Sequence, residues 1–176
     1  MRKFEDFLKV ILKQEGGDKF HKVAGDIGEA TKYGISLRFL KDTEEGDFNN
    51  DGTIDETDIK ELTLEQASEL YKKYFYNAAN LNLIRNELLR LHVFSHAVNR
   101  GIKPAVRLLQ RIVGAEQDGK LGKTTAMMIN AVRDEPGLVH GYASARKIDY
   151  EKLVSKNPKL SKFLLGWYNR VDTTKF

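Results

Sequence analysis

The sequence predicts a mainly helical protein that carries a small β-hairpin near its N-terminus, an α+β arrangement built around a helical bundle. Two observations lead to this prediction. After residue 36, apolar residues recur at helical spacing and no convincing strand pattern is found. Residues 17–36, in contrast, are too rich in glycine for a helix and are typical of a loop or hairpin, with Gly17, Gly25, Gly28 and Gly34.

The first predicted elements follow from apolar spacing and from residues that begin or end helices. They are a helix over 2–14 that Gly16 and Gly17 end, a hairpin strand over 31–35 and a short helix over 37–41. An acidic segment then runs to residue 61. Behind it, Thr63 and Gln66 form a capping box that begins a helix reaching Phe75.

In the second half of the chain, the sequence pattern predicts helices only. Residues 86–99 are the most apolar and are expected to form the buried centre, and Gly101 ends this helix. Pro104 fits the first turn of the next helix, which Gly114 closes. Three more helices are predicted over 124–133, 137–154 and 159–170.

Composition and charge limit the class of protein. Hydrophobic residues make up 41% and charged residues 31% of the 176 residues, as in soluble globular proteins. The absence of cysteine excludes disulfides and thiolate chemistry. The formal charge of +4 suits an anionic partner such as the cell wall or a nucleic acid, although charges mixed along the chain are also typical of an ordinary solvated surface.

Glu15 is the residue whose position points to chemistry. A glycosidase needs a carboxylic acid that is still protonated when it meets the glycosidic oxygen, and a helix end holds such a group in place. Gly16 and Gly17 let the chain turn away and leave room for a sugar. From the residues alone, a glutamate that merely ends a helix explains the same pattern.

Several segments carry a family resemblance. Glu15-Gly-Gly, followed by Asp26-Ile-Gly-Glu-Ala-Thr31-Lys-Tyr-Gly34-Ile-Ser36, resembles the signature of glycoside hydrolase family 108. The resemblance continues, in the right order, over residues 94–101, 105–110, 118–124 and 163–170. The family comprises lysozyme-like N-acetylmuramidases found as phage endolysins and in bacterial genomes, some of them called secretion activators. The C-terminal half resembles the predicted peptidoglycan-binding domain that accompanies them.

This resemblance implies a lysozyme-like fold with a catalytic region over 1–85 and a peptidoglycan-binding region over 86–176, packed as one compact unit. It implies hydrolysis of the β-1,4 bond between N-acetylmuramic acid and N-acetylglucosamine in peptidoglycan glycan strands, without a cofactor for catalysis. Glu15 would be the general acid, and the residues expected to hold water or stabilise charge are Asp26 and Thr31. The residues expected to contact the substrate are Tyr33, His96 and Asn99.

Three other interpretations of the function stay open at this point. The chain could be a lytic transglycosylase, since related folds use a single glutamate for that reaction, or a wall-binding module in which Glu15 is structural. The basic charge also fits a nucleic-acid-binding protein, but no recognition-helix pattern supports it. Inverting and retaining hydrolysis cannot be separated without the distance between two carboxylates.

The sequence departs from the family pattern at three positions near the implied site. Asp18 stands where an aromatic residue commonly follows the Glu-Gly-Gly, and Glu29 replaces a glycine of the usual hairpin sequence. Ser95 stands where an aspartate often precedes the Val-Asn element. The two added acids lie close to Glu15 in sequence, so the rate and the pH optimum are expected to differ from those of relatives.

An acidic segment over 47–58 follows the register of an EF-hand loop. Oxygen-bearing side chains fall at alternating positions, Gly52 falls at the sharp turn and Asp58 takes the last ligand position. The predicted ligands of one structural Ca²⁺ are Asp47, Asn49, Asp51, Thr53 and Asp58. A plain acidic surface loop is the alternative. A calcium sensor is not expected, because such proteins pair two loops.

The sequence also predicts where the protein works. Its longest N-terminal apolar run is residues 10–12, which is too short for a signal peptide, and no stretch approaches the ~18 apolar residues of a membrane helix. We therefore expect a monomer that is made in the cytoplasm, has no integral membrane segment and acts on the cell wall or periplasm after release.

Two further groups of residues are expected to be structural or solvated. His92 and His96 lie four residues apart, but Val93 stands where a zinc-protease helix carries glutamate, so core or cleft-lining histidines are favoured. A set of basic residues could form a face for anionic wall polymers or could simply be solvated: Arg85, Arg90, Arg100, Lys103, Arg107 and Arg111.

Overall fold

The computed structural model describes residues 2–21 and 30–176. This part of the chain holds nine α-helices and one two-stranded sheet, which confirms the predicted mainly helical α+β class. The helices are α1 (Phe4–Gln14), α2 (Leu37–Lys41), α3 (Glu56–Glu61), α4 (Leu64–Tyr71), α5 (Glu87–Arg100), α6 (Ile102–Val113), α7 (Lys123–Asn130), α8 (Glu135–Lys156) and α9 (Ser161–Asp172). The strands are β1 (Thr31–Lys32) and β2 (Ile35–Ser36).

The chain divides into two compact units. One consists of Leu8–Tyr71, and the other consists of Met1–Phe7 together with Lys72–Phe176. We call them the hairpin unit and the bundle unit. No helix in the described part of the chain is both long and apolar enough to cross a membrane.

The small sheet of the hairpin unit is a tight antiparallel hairpin. Thr31 pairs with Ser36 and Lys32 pairs with Ile35. The two residues between the strands, Tyr33 and Gly34, have φ of 53° and 78°, and two consecutive positive φ angles are the mark of a type I′ turn, whose twist matches that of the strands.

Apolar spacing in the acidic segment does not predict helix α3. It forms because the Asp55 side chain accepts a hydrogen bond from the Thr57 N–H, while Asp58 Oδ2 accepts one from the Asp55 N–H at 2.8 Å. The two aspartates thus form a capping box that satisfies N–H groups at the helix start. Asp58 is fully buried, as is Ile59 beside it.

Helix α4 begins with the predicted capping box. Thr63 Oγ1 accepts a hydrogen bond from the Gln66 N–H at 3.2 Å, and Gln66 Oε1 accepts one from the Thr63 N–H at 2.8 Å. The helix face predicted to run to Phe75 continues past Tyr71 as a π-helical segment, Lys72–Asn77. Tyr71 and Tyr76 are both buried.

The core of the bundle unit is centred on α5, as its apolar sequence predicts. Residues Leu89–Ala97 are all buried, and α5 packs against α6 and α8. An aromatic cluster covers one end, where the Tyr76 ring lies edge-on to the rings of Phe4, Phe7 and Phe94 at centroid distances of 5.2–5.9 Å. Each such buried ring contributes roughly 1.5–3 kcal/mol of hydrophobic stabilisation.

A buried polar group lies between α5 and α8. Arg146 is fully buried, and its guanidinium donates to the His92 carbonyl at 3.2 Å and to Ser95 Oγ at 3.3 Å. No carboxylate is paired with it among the residues that the structure describes. The positive charge is therefore held by neutral oxygen and nitrogen atoms, an arrangement that costs desolvation energy.

The predicted glycine ends of two helices in this unit agree with the structure. Gly101 follows α5 with φ of 89°, and Gly114 caps α6 with φ of 72°, so both helices end where the chain needs a left-handed residue. Trp167 stacks on Tyr150 at a centroid distance of 5.0 Å and on Phe163 at 6.0 Å, which makes it an anchor for α9.

Candidate active site

Glu15 directly follows the last residue of α1, where the helix is closed by two glycines. Its N–H donates to the Ile11 carbonyl at 3.0 Å, and the Gly17 N–H reaches back to the Leu12 carbonyl at 3.0 Å. Gly16 and Gly17 have φ of 87° and 71°. This is a Schellman-type helix end, which only glycine adopts without strain. The backbone of Glu15 is therefore fixed by the helix on one side and by a sharp turn on the other.

The hairpin is bonded to the segment that leaves this turn. The Tyr33 N–H donates to the Gly17 carbonyl at 3.1 Å. His21 and Thr31 exchange two backbone hydrogen bonds of 2.9 Å in an antiparallel bridge. The turn after α1 and the hairpin are thus one hydrogen-bonded layer, which brings residues that are 10 and 16 positions apart in sequence side by side.

Gly34 lies directly against the Glu15 side chain. A Cβ atom built on Gly34 would stand 2.6 Å from both Cβ and Cγ of Glu15 and 2.6 Å from the Tyr71 hydroxyl oxygen. A Cβ atom essentially never lies this close to a non-bonded heavy atom, so no larger residue fits at position 34 without a shift. The hairpin backbone therefore packs on the Glu15 stem and restricts where its half-buried carboxyl group can point.

Tyr71 holds this arrangement from the end of α4. Its ring is fully buried, and its hydroxyl donates to the Tyr33 carbonyl at 3.0 Å. Because Tyr33 is in the left-handed conformation, its carbonyl cannot take part in the ladder between β1 and β2, and the tyrosine hydroxyl satisfies it instead. Sequence reasoning assigned Tyr71 no role in the site; a buried tyrosine, which needs a partner for its hydroxyl, is the signal that could have found it.

Two aromatic rings lie in the same unit with lysines above them. Phe20 is 38% exposed, and Lys60 Nζ lies 5.8 Å from its ring centroid. Lys32 Nζ lies 5.6 Å from the centroid of the half-buried Tyr33 ring and donates to the Lys60 carbonyl at 2.6 Å. An exposed aromatic face beside polar groups is the usual lining of a site that binds an amphipathic ligand.

The remaining predicted catalytic residues can be placed only in part. Thr31 begins β1, is half-buried and is tied through its backbone to His21. Asp26 lies outside the described residues. The structure therefore brings the Glu15, Thr31 and Tyr33 segments together in the hairpin unit.

The other two predicted substrate contacts belong to the bundle unit. His96 is fully buried, with Nδ1 2.9 Å from the Tyr142 hydroxyl oxygen, and that hydroxyl donates to the Ala105 carbonyl at 3.0 Å. This burial argues against the predicted substrate contact of His96 and agrees with its interpretation as a core histidine. Asn99 is half-buried, and its Oδ1 accepts a hydrogen bond from the Tyr150 hydroxyl at 2.8 Å.

Burial decides the protonation of the two core histidines. Desolvation, with a smaller contribution from the nearby Arg146 charge, lowers the pKa of His92 to about 4. The same two causes, with Arg100 in addition, hold the pKa of His96 well below its ordinary value. Both rings are therefore neutral at pH 7.

The predicted calcium loop is not supported by its geometry. Both carboxylate oxygens of Asp47 accept backbone hydrogen bonds, from Asp51 at 3.1 Å and from Gly52 at 2.9 Å. Asp58, the expected last ligand, accepts from the Phe48 N–H at 2.8 Å with one oxygen and caps α3 with the other.

Side-chain oxygens in the middle of the same loop also accept hydrogen bonds from within the loop. Asn49 Oδ1 accepts from the Asp51 N–H, and Asp51 Oδ1 accepts from the backbone and hydroxyl of Thr53. The hydrogen bond from the Thr53 hydroxyl, followed by that from its N–H, lowers the pKa of Asp51. Among the described residues, no group of three or more histidine, aspartate or glutamate side chains is arranged to hold a metal ion. In this structure the loop is a hydrogen-bonded segment that leads into α3.

Comparison with known structures shows the fold. The structure of SagA from Brucella abortus superposes with a TM-score of 0.77, and the match covers 97% of this chain and 90% of that chain at 23% sequence identity. The two proteins therefore share a fold, which confirms the lysozyme-like class predicted from the sequence. A search of curated proteins finds no match.

Comparison with family profiles gives two matches along the chain. The profile described as glycosyl hydrolase 108 matches residues 8–101, which is more than half of the chain, and the profile described as predicted peptidoglycan domain matches residues 104–172. The first match covers the Glu15 turn, the hairpin and Tyr71, and the two together support a glycoside hydrolase whose partner is peptidoglycan. The chain belongs to the glycosyl hydrolase 108 family.

Proposed function

We propose that this protein hydrolyses the β-1,4 bond between N-acetylmuramic acid and N-acetylglucosamine in peptidoglycan, with Glu15 as the general acid. The observation that carries the proposal is the close approach of Gly34 to Glu15. A backbone with no side chain, held by the Tyr71 hydroxyl through the neighbouring Tyr33 carbonyl, packs on the stem of one half-buried glutamate at the end of a helix. This is the positioning that acid catalysis requires, because the donor must lie within hydrogen-bond reach of the leaving oxygen.

The chemical step follows from the nature of the bond. Glu15 transfers its proton to the glycosidic oxygen as the bond from that oxygen to the muramic-acid C1 breaks, and positive charge develops on the sugar ring. A water molecule then adds to C1 and gives up a proton, which restores the carboxylic acid or is taken by a second group. We assign the holding of this water to Thr31 or Asp26.

The surroundings of Glu15 suit a sugar chain. Tyr33 is on the hairpin that packs on Glu15, and the exposed face of Phe20 belongs to the segment that leaves the helix end. Flat aromatic faces fit the apolar faces of sugar rings, while Lys32 and Lys60 supply positive charge beside them. We propose Tyr33 as a substrate contact in this unit.

The location of peptidoglycan determines where the protein would act. Peptidoglycan lies outside the cytoplasmic membrane, so a protein of this function meets its substrate in the cell wall or periplasm after release. The match of residues 104–172 to the predicted peptidoglycan domain supports a second contact with the same polymer through the bundle unit. We propose that the protein acts as a monomer.

Mass spectrometry of the fragments released from purified cell-wall sacculi tests the bond that is cut. New reducing ends on N-acetylmuramic acid are the expected result. Reducing ends on N-acetylglucosamine would mean a glucosaminidase, and 1,6-anhydro-muramic acid ends would mean a lytic transglycosylase. Either outcome would overturn the proposed reaction, and a complete lack of release by folded protein would favour a wall-binding module.

A further inference from the structure

One face of the bundle unit carries a cationic pocket that the proposed reaction does not use. Its volume is about 330 Å³, and it lies between the end of α5, α6 and α8. We call it the α6 pocket and define it by its charged residues: Arg100, Lys103, Arg107, Arg111 and Asp149. Four of the six basic residues that the sequence left unassigned are thus brought to one cavity.

The charges of the α6 pocket are not balanced by the protein. Asp149 is its single acid, and the shortest approach is 4.0 Å, from Asp149 Oδ2 to Arg100 Nε. Arg100 Nε is shielded from solvent and has no hydrogen-bond partner within the described part of the chain. Lys103, Arg107 and Arg111 form no ion pair with any residue that the structure describes. Three positive charges are left for a ligand.

The side chains of Lys103 and Arg107 pack on Gly119. Gly119 has φ of 77°, and a Cβ atom there would stand 2.5 Å from Lys103 Cγ and 3.5 Å from Arg107 Cγ. The stems of Lys103 and Arg107 therefore lie across a glycine that a larger residue could not replace. Arg107 Nε also donates to the Gln117 carbonyl at 3.0 Å, which fixes the plane of its guanidinium group.

A buried glutamine holds the loop that carries Gly119. Gln110 is 1% exposed, and its amide donates to Asp118 Oδ1 at 2.7 Å and to the Lys120 carbonyl at 3.1 Å. Its Oε1 accepts from the Gly119 N–H at 2.9 Å. Asp118, which directly precedes Gly119 in sequence, is thus turned toward Gln110 and does not line the pocket. Side chains ordered before binding lose less entropy when a ligand arrives.

The chemistry of the pocket selects a carboxylate ligand. Guanidinium groups bind carboxylates through paired hydrogen bonds, and Pro104 and Leu108 add an apolar wall beside them. Where a peptide is attached, the lactyl carboxyl group of muramic acid is consumed in an amide bond, whereas the peptide branches carry several free carboxylates. We infer that the α6 pocket binds a peptide carboxylate of peptidoglycan, so that the bundle unit recognises the peptide and the hairpin unit recognises the glycan. The inference rests on the proposed function, because that function supplies the polymer.

Binding of a single disaccharide–peptide unit, ending in muramic acid, tests the inference by calorimetry. This ligand contains no bond of the kind that Glu15 is proposed to cut, so binding and hydrolysis are measured separately. Lys103→Ala and Arg111→Ala are the main variants, since both side chains are exposed, and Arg107→Ala is a third. Arg133→Ala is the matched control, an exposed arginine of the same unit that does not line the pocket.

We expect a loss of affinity of about tenfold, or ~1.4 kcal/mol, for each pocket variant and none for Arg133→Ala, since each pocket variant removes a charge-assisted hydrogen bond. We also expect no binding of a peptide-free disaccharide of two N-acetylglucosamine units, which carries no carboxylate. Equal affinity of the pocket variants and the wild type, or equal binding of the peptide-free disaccharide, would overturn the inference. So would binding of a glycerol-phosphate polymer in place of the peptide ligand. Wild-type cleavage of sacculi, measured in parallel, shows whether the proposed function stands independently.

Discussion

Gly34 occupies the space beside Glu15 that any side chain would fill, because its missing Cβ would stand 2.6 Å from two carbons of the glutamate stem. Two residues 19 positions apart are thereby locked together, one at a helix end and one in a hairpin turn. Since Gly34 also has φ of 78°, the same position needs glycine for its backbone and for its contact.

Gly34→Ala is therefore expected to displace the Glu15 side chain and to lower the rate of sacculus hydrolysis at least tenfold. The stability cost is expected to be about 1–3 kcal/mol, from the left-handed backbone and the contact together. Urea unfolding and dye release from labelled sacculi measure the two effects.

The matched control for this variant is Gly52→Ala. Gly52 lies in the same unit with φ of 88°, but a Cβ there meets nothing within 4 Å. Its alanine variant should lose about 1 kcal/mol of stability and keep the wild-type rate per folded molecule. Equal rates for the two alanine variants would contradict the role given to the Gly34 contact.

Tyr71→Phe removes the hydroxyl that satisfies the Tyr33 carbonyl. The expected result is a loss of about 1 kcal/mol of stability and a several-fold slower hydrolysis, because the hairpin that packs on Glu15 is less firmly held. Tyr76→Phe serves as the comparison, since its buried hydroxyl accepts from Arg90 at 3.2 Å in the bundle unit. A fall in stability with an unchanged rate in both variants would show that Tyr71 is structural only.

Acid should destabilise the protein through His92. Its pKa is about 4 in the folded protein and ~6.5 in an unfolded chain. The unfolded state therefore binds more protons between these values, and stability is present above pH 6.5 and is lost as the pH falls toward 4. The loss from His92 alone is expected to be roughly 2–3 kcal/mol by pH 4.

Urea unfolding at pH 7, 5.5 and 4.5 measures this dependence. His92→Gln should have a flatter pH profile than the wild type, while the exposed His140→Gln should follow the wild type. If all three profiles were parallel, the buried histidine would not be the source of acid sensitivity.

Ser95→Asp should stabilise the protein. Ser95 Oγ accepts from the Arg146 guanidinium at 3.3 Å, and the buried arginine has no carboxylate partner in the described part of the chain. A carboxylate at position 95 would compensate that charge, and an aspartate often occupies this position in the resembling family. We expect a gain of about 1–2 kcal/mol at pH 7. A loss of stability larger than that of Ser95→Ala would contradict this account of Arg146.

Local signals in the sequence were sufficient for much of the fold. The end of α1 at Gly16 and Gly17, the capping box of Thr63 and the glycine after α6 each depend on residues only a few positions apart, so a short window contains their cause. The buried centre at α5 followed from its continuous apolar composition.

The contacts that build the candidate site could not be predicted from a short window of sequence. Tyr71 bonds to Tyr33 across 38 residues, and Gly34 meets Glu15 through space, so neither relationship leaves a mark in a local pattern. The calcium prediction, by contrast, rests on a local pattern and is not supported by the structure. The spacing of Asp47 and Asp58 was read as a ligand register, but the same spacing serves the backbone hydrogen bonds that precede α3.

Hydrolysis of sacculi by Glu15→Gln tests the central claim most directly. Glutamine keeps the size of the side chain beside Gly34 but cannot donate an acidic proton, and Glu65→Gln, at an exposed position of α4, is the control. The account predicts that Glu15→Gln unfolds like the wild type and releases muropeptides ~10²–10⁴-fold more slowly, while Glu65→Gln keeps the wild-type rate. A folded Glu15→Gln variant that cleaves sacculi at the wild-type rate would contradict it.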